Sequence, residues 1–344
     1  MDKSNKIIVG ISIGDINGIG LEVILKTFED KRMLEFCTPI LFGSSKVISF
    51  HKKALQLNIN VHGIPSADKV VHGKINLVNT WKEDVKVTMG EVTKDGGKYA
   101  MKSLAATVSA LKNKEVDFLL TAPINKENIQ SKDFNFPGHT EYLEANFSGK
   151  SLMILMTDEL RIGLITGHIP IAKVTETITP ELIEEKVNTM YHSLQQDFNI
   201  SKPKIAVLGL NPHCGDKGVM GKEDEEIIKP TINKIKETGK LVFGPYAADG
   251  FFGSKTYQQF DGVLATYHDQ GLAPFKALSF GNGVNFTAGL DIVRTSPDHG
   301  TGYDIAGKNK ANPDSFKEAL FTGLKIYKNR KEYSELKANA LKTK

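Results

Sequence analysis

Nine histidines punctuate the 344-residue chain, and three of them share a setting that suits chemistry. His168 follows the apolar run Ile162–Thr166 in Thr166-Gly167-His168-Ile169-Pro170. His213 follows Lys204–Leu210 in Asn211-Pro212-His213, and His268 follows Gly262–Thr266 in Tyr267-His268-Asp269-Gln270-Gly271. Each run reads as a strand, so each histidine falls just past a strand's C-terminal end, the edge at which open α/β sheets bind ligands. Taken singly, such a histidine is best explained as a structural side chain satisfied by backbone. Three at one sheet edge reverse that judgement. Neutral imidazole is the commonest side-chain ligand of zinc and related divalent ions, and three protein ligands leave positions open for substrate. The intervals between the three are long, however, and spacing alone does not bring them together. His51, His62, His72 and His192 sit among polar residues and read as surface groups. Cys214, beside His213, is either a soft ligand or, more simply, a small filler.

Further residues could hold an anion. Lys276, Asn285 and Arg294 supply two cations and an amide, the arginine as a bidentate fork and the lysine as a point charge, which suits phosphate or carboxylate. Ordinary surface charge competes as an explanation of each one alone. The loop Gly14-Asp15-Ile16-Asn17-Gly18-Ile19-Gly20 follows the first strand candidate and opens a helix with Glu22 in its first turn. Its glycines permit positive φ and close backbone approach, and a helix N-terminus favours an anion. The spacing matches neither a dinucleotide fingerprint nor a P-loop, so a structural tight turn is an equal reading. A second glycine-rich segment, Asp298-His299-Gly300-Thr301-Gly302-Tyr303-Asp304 through Lys308 to Ala311-Asn312-Pro313, is a binding loop or a long structural excursion.

The elements that must position these groups alternate along the whole chain. Strand candidates are Ile7–Ile13, Pro39–Phe42, Ile75–Val78, Val116–Thr121, Ser151–Met156 and the three runs that precede the histidines. Helical patterns lie between them, among them Lys98–Asn113, Pro180–Phe198 and Glu223–Glu237, with Thr179-Pro180 as an N-cap and first-turn proline. This alternation argues for a largely parallel α/β sheet. No repeat, low-complexity segment or Pro/Gly/Ser-rich linker is present. Two domains that exchange strands across a cleft are therefore expected, drawn at 1–125 with 300–344 and at 126–299.

Composition narrows the class. With 40% hydrophobic and 24% charged residues the chain is a globular protein, long enough for two domains. The run Ile7–Ile13 is too short to span a bilayer and no small-residue cleavage site follows it, which gives a cytoplasmic expectation. Two cysteines cannot build a disulfide framework. The net charge of +4 is concentrated at the end: Lys325–Lys344 holds seven Lys/Arg against two Glu. A solvated terminal helix accounts for that better than a nucleic-acid surface.

Several blocks in order resemble the 4-hydroxythreonine-4-phosphate dehydrogenase family. They are Thr121-Ala122-Pro123-Ile124-Asn125-Lys126, Gly138-His139-Thr140-Glu141, Gly167-His168-Ile169-Pro170, Asn211-Pro212-His213, Gly244-Pro245 with Ala248-Asp249, Tyr267-His268-Asp269-Gln270-Gly271 and Asp298-His299-Gly300-Thr301. The resemblance runs from the Gly14-Asp15 loop to about Asn312. It implies a two-domain α/β/α fold like that of isocitrate and isopropylmalate dehydrogenases, with the active site in the interdomain cleft. The first domain would carry the adenine-side NAD loop, the second the metal ligands and dimer interface. His168, His213 and His268 would bind a divalent metal, zinc before magnesium, manganese, cobalt or nickel. His139, Thr140, Lys276, Asn285 and Arg294 would bind the phosphorylated substrate. His299, Gly300, Thr301, Asp304 and Asn312 would face NAD. The family is a homodimer with shared sites, so that His268 could come from the partner subunit. Asp249 and Asp269 are candidates for the catalytic base or for orienting a ligand.

The implied reaction is oxidation of 4-phosphohydroxy-L-threonine at its C3 hydroxyl followed by decarboxylation to 3-amino-2-oxopropyl phosphate, in pyridoxal 5'-phosphate biosynthesis. Ile16 and Asn17 replace a proline-containing loop of the family, and Asp216, Gly250 and Gly302 replace commoner residues. These departures leave open a related dehydrogenase of threonate or erythronate 4-phosphate. A metal-dependent phosphoester hydrolase and a non-catalytic metal or nucleotide binder are the readings from other classes. Neither a membrane nor a nucleic acid is expected as a partner.

Overall fold

The computed structural model describes residues 6–132, 134–279 and 281–340; the last four residues of the basic terminal stretch, 341–344, lie outside them. The chain divides into two compact units, Met1–Ala145 with Ile292–Tyr327 and Asn146–Asp291 with Lys328–Lys344. The divisions fall at 145/146 and 291/292 rather than at 125/126 and 299/300, and the end of the terminal helix goes with unit 2. The physical reason is continuity of packing. The His139–Glu144 helix buries Tyr142 and Leu143 within unit 1, and the Arg294–Pro297 strand pairs there.

Strands follow the apolar runs. Unit 1 supplies β1 (Ile8–Ser12), β2 (Thr38–Gly43), β3 (Val61–Ile64), β4 (Ile75–Asn79) and β5 (Phe118–Thr121). Unit 2 supplies β6 (Gly149–Met156), β7 (Arg161–Leu164), β8 (Lys204–Leu208), β9 (Leu241–Tyr246), β10 (Gly262–Ala265) and β11 (Val284–Leu290). The chain then returns to unit 1 for β12 (Arg294–Pro297). Unit 1 runs β3-β4-β2-β1-β5-β12 with its pairs parallel. Unit 2 runs β11-β6-β7-β10-β8-β9; β6 is antiparallel to both neighbours and the remaining pairs are parallel. Strands covered on both faces by helices need continuous apolar sequence, and β5 (FLLT) is buried at every residue.

Helices start where capping chemistry allows. Thr93 Oγ1 accepts from Gly96 N (3.0 Å) at the head of the Lys94–Lys112 helix, and Thr179 Oγ1 accepts from Leu182 N (3.2 Å) ahead of Pro180–Gln196. The helix expected over Glu223–Glu237 is instead a π turn, Asp224–Ile228, followed by the Lys229–Glu237 helix. Pro230 has no N–H to continue an i to i−4 ladder, which explains the widened turn before it. The terminal helix extends over Asp314–Ala338, with Phe316, Leu320 and Leu324 buried on its first turns. His51, expected at the surface, is buried and donates from Nε2 to the Ile16 carbonyl at 2.8 Å. Among the described residues no helix is long and apolar enough to cross a membrane.

Candidate active site

In unit 2 the three strand-end histidines leave from one edge. β10 lies between β7 and β8, parallel to both, with Val263 paired to Ile162 on one side and Ala206 on the other. The strand ends are tied together by Gln270. Its Oε1 accepts from Thr266 N and Thr266 Oγ1 (both 2.8 Å), and its Nε2 donates to the Gly209 carbonyl at 2.6 Å. Thr166 Oγ1 donates to the Thr266 carbonyl at 2.7 Å and fixes the third strand end.

His168 and His268 meet, with ring centroids 5.3 Å apart. They line an open depression of about 260 Å³ with Gly167, Ile169, Tyr267 and Asp269. His268 donates from Nδ1 to Asp269 Oδ1 at 2.8 Å, which leaves Nε2 as the accepting nitrogen of a neutral ring.

His213 does not complete a triad. Among the described residues no group of three His, Cys, Asp or Glu side chains is close enough to hold a metal ion. The reason lies in the local backbone. From His213 to Gly218 six consecutive residues have positive φ, 52° at His213, 55° at Cys214, 42° at Asp216 and 56° at Lys217 among them. That tight left-handed turn sets where His213 stands, and the Asp224 carboxylate holds it. Asp224 accepts from Leu210 N (2.8 Å), Asn211 N (2.9 Å) and Asn211 Nδ2 (3.0 Å) while itself buried. Cys214 is half-buried, its thiol pushed up to about 11 by burial and by Asp224, Asp249 and Glu225. Asp249 is exposed at the start of the Ala248–Gly253 helix. Lys276 is exposed on the His268–Ser279 helix, and Asn285 on β11 has a buried Oδ1 with no hydrogen-bond partner.

Unit 1 gathers the other anion-binding candidates. Arg294, the first residue of β12, is 2% exposed. Its Nε and Nη2 donate to Thr121 Oγ1 at 3.1 and 2.7 Å, at the end of neighbouring β5. Burial pushes its pKa down to about 9, against the opposing pull of Glu141. His139 opens the His139–Glu144 helix, followed by half-buried Thr140. Burial first, then Arg294 and Lys126, hold the His139 imidazole well below its usual range, so it is neutral. Its Nε2 is buried without a hydrogen-bond partner. A buried guanidinium, a lysine and a neutral imidazole make a place for an anion. Lys126 was not singled out from sequence as a binding residue; its place in the block shared with Thr121 was the available signal.

The segment after β12 docks on the Gly14–Gly20 loop. Ile19 N donates to the Thr301 carbonyl at 2.9 Å, and a side chain at Gly18 would put Cβ 2.6 Å from that oxygen. Asp15 and Asn17 are buried, which decides that loop in favour of a structural turn. His299 keeps Nδ1 on the Gly300 carbonyl (3.0 Å); burial holds its pKa down, and its Nε2 is buried with no hydrogen-bond partner. Asp304 is exposed, and Asn312 Oδ1 accepts from Asp314 N at 2.9 Å, a helix-capping contact.

Strand-end histidines in one unit and a buried cation beside a neutral imidazole in the other belong to an α/β metabolic enzyme. A family model described as "Pyridoxal phosphate biosynthetic protein PdxA" matches residues 35–322. The chain is 49% identical over 342 residues to the 4-hydroxythreonine-4-phosphate dehydrogenase of Bacteroides thetaiotaomicron, covering 99% of this chain and 94% of that protein. It is 40% identical over 326 residues to the protein of the same name from Sulfurihydrogenibium sp., covering 94% and 99%. The solved structure of 4-hydroxythreonine-4-phosphate dehydrogenase from Klebsiella pneumoniae matches at a TM-score of 0.80 and 29% identity, covering 94% of this chain and 100% of that one. The chain belongs to the PdxA family, and it is an oxidoreductase with the isocitrate dehydrogenase-like α/β fold.

Proposed function

We propose that the chain oxidises 4-phosphohydroxy-L-threonine at its C3 hydroxyl, with loss of CO2, to give 3-amino-2-oxopropyl phosphate for pyridoxal 5'-phosphate biosynthesis. The observation that carries this reading is the Arg294–His139–Lys126 cluster, an anion site of the kind a phosphorylated substrate requires, in a chain with the identities given above. Arg294, oriented by Thr121, and His139 with Thr140 hold the phosphate end. Fixing that end aligns the reacting carbon, where orientation is worth several orders of magnitude.

NAD is the hydride acceptor, and His299, Gly300, Thr301, Asp304 and Asn312 form its adenine-side segment; the buried Nε2 of His299 fits a group awaiting a partner. A divalent metal, zinc foremost, would supply Lewis-acid chemistry for the hydroxyl and for the charge that develops as CO2 leaves. His168 and His268 fit as two of its ligands by their proximity and by the Asp269 contact. His213 is the third, completed in a homodimer with shared sites. Exposed Ile171 (70%) and Val219 (78%), close in sequence to His168 and His213, suit such an interface. Asp249 is the candidate proton acceptor. Two free cysteines accord with the cytoplasm.

The test is NADH absorbance with 4-phosphohydroxy-L-threonine, NAD and a divalent metal, with and without chelator. Chelator-sensitive NADH formation is expected. Turnover of threonate or erythronate 4-phosphate alone would change the substrate, and phosphate release without NADH would replace the reading with a hydrolase.

A further inference from the structure

The Gly14–Gly20 loop holds a buried carboxylate to which the reaction above gives no role. We propose that Asp15 is a positioning residue that latches the His299–Asn312 segment through Tyr303 and so sets affinity for the dinucleotide, not for the phosphorylated substrate. This rests on the assignment of that segment to NAD.

Asp15 is 1% exposed and its carboxylate accepts three hydrogen bonds, from Asn17 N, Asn128 Nδ2 and the Tyr303 hydroxyl, each at 2.8 Å. Its own N–H donates to the Pro123 carbonyl at 3.0 Å. The carboxylate packs on the first turn of the Lys94–Lys112 helix: a Cβ at Gly96 would lie 2.7 Å from both of its oxygens. A helix N-terminus favours a negative charge there. Asp15 is thus fixed from three sides by groups outside the segment, and Tyr303 is its contact with the segment. Tyr303 lies between His299 and Asp304.

The latch has companions. The Thr301 carbonyl takes the N–H of Ile19. Gly302, at φ 55°, lies where any Cβ would meet Ile19 at 2.8 Å. At the far end Glu22 Oε1 accepts from Ala311 N at 2.9 Å, while Lys26 Nζ donates to the Asn309 and Ala311 carbonyls. Between these ties the residues from Gly307 to Lys310 are exposed. The segment is therefore held at Thr301, Tyr303 and Ala311. A ligand that binds only the held conformation loses affinity in proportion to any population that escapes it.

Tyr303→Phe removes one hydroxyl and nothing else, so the fold is retained. It is expected to raise the NAD dissociation constant about tenfold, the size of one hydrogen bond to a charged group, and to leave the KM for phosphorylated substrate unchanged. Titration of the whole protein with NAD by calorimetry reads the first quantity and steady-state kinetics the second. D15N disturbs the Asn17 and Asn128 contacts as well as the one to Tyr303, so D15N combined with Tyr303→Phe should weaken NAD binding by less than the sum of the two single losses, the shared contact being lost only once. Full additivity would overturn the latch, since Tyr303 would then be acting on NAD directly. His299→Ala is the control for the cofactor assignment. If it weakens NAD binding while Tyr303→Phe does not, the latch fails and the assignment stands. If neither variant weakens NAD binding, the assignment falls and takes the latch with it. Equal losses for NAD and substrate would also overturn the proposal by showing a general structural role.

Discussion

Replacing Thr121 by valine would test the phosphate role of Arg294 without touching Arg294. The side chains are nearly isosteric, and Thr121 is fully buried, so the change deletes a hydroxyl and leaves the packing in place. That hydroxyl accepts two guanidinium N–H groups, at 3.1 and 2.7 Å, in a site only 2% exposed. Loss of hydrogen bonding to a charged group costs about 1.5 kcal/mol or more when the group cannot be rehydrated. If the guanidinium swings to recover a partner, the substrate loses a comparable part of its phosphate interaction, roughly tenfold in affinity. Steady-state kinetics with saturating NAD should give a KM for phosphorylated substrate raised by about that factor, with the KM for NAD unmoved. Inorganic phosphate should become a weaker competitive inhibitor in parallel. A thermal melt separates site effects from general loosening. Equal rises in both KM values, or an unchanged KM with a lowered Tm, would show that Thr121 and Arg294 serve the fold and not the phosphate.

Two other predictions concern stability. His51 is buried with its pKa held down, from the ordinary 6.5 to about 4, chiefly by burial. An imidazole depressed in this way stabilises the native state fully above pH 6.5, and that contribution is lost as pH falls towards 4. The full effect is about 3 kcal/mol. Urea unfolding at pH 7 and pH 4.5 should show it, and His51→Gln, which keeps an N–H for the Ile16 carbonyl, should flatten the dependence. Asp224→Ala removes the acceptor of three hydrogen bonds to Leu210 and Asn211 and should cost on the order of 2–4 kcal/mol in urea unfolding. Because His213 stands two residues beyond Asn211, divalent metal affinity should fall as well; unchanged affinity would separate the turn from the metal.

The α/β alternation was legible because buried parallel strands must be apolar throughout, as Ile162–Thr166 and Gly262–Thr266 are. Four strands escaped for the opposite reason. β12 reads Arg-Thr-Ser-Pro, yet all four residues are buried, Arg294 on Thr121 and Thr295 Oγ1 on the Ala319 carbonyl. Polar side chains satisfied inside look like surface to any hydropathy argument. β3 includes His62 and Gly63, β9 contains Gly244-Pro245, and β11 alternates through Asn285 and Thr287. The shared edge of the three histidines followed from strand ends, but whether their rings meet depends on loop backbone. Thr166 ties the strand ends that carry His168 and His268 and Gln270 ties those that carry His268 and His213, but beyond Gly209 the course of the chain is set by the left-handed turn held on Asp224. The exchange between Asp15 and Tyr303, 288 positions apart, has no local signature.

The left-handed turn at His213–Gly218 bears on how this protein could be made more robust. Four of its six residues carry a Cβ, and L-residues in that conformation are each disfavoured by about 1–2 kcal/mol. Glycine at Asp216 or Lys217 would relieve the backbone but would also let the turn sample more directions. The rigidity that aims His213 and the ease with which the chain adopts its native form are thus in competition at one short stretch. Gains in heat tolerance made there should come with a less sharply aimed imidazole, whereas gains made on the terminal helix should not.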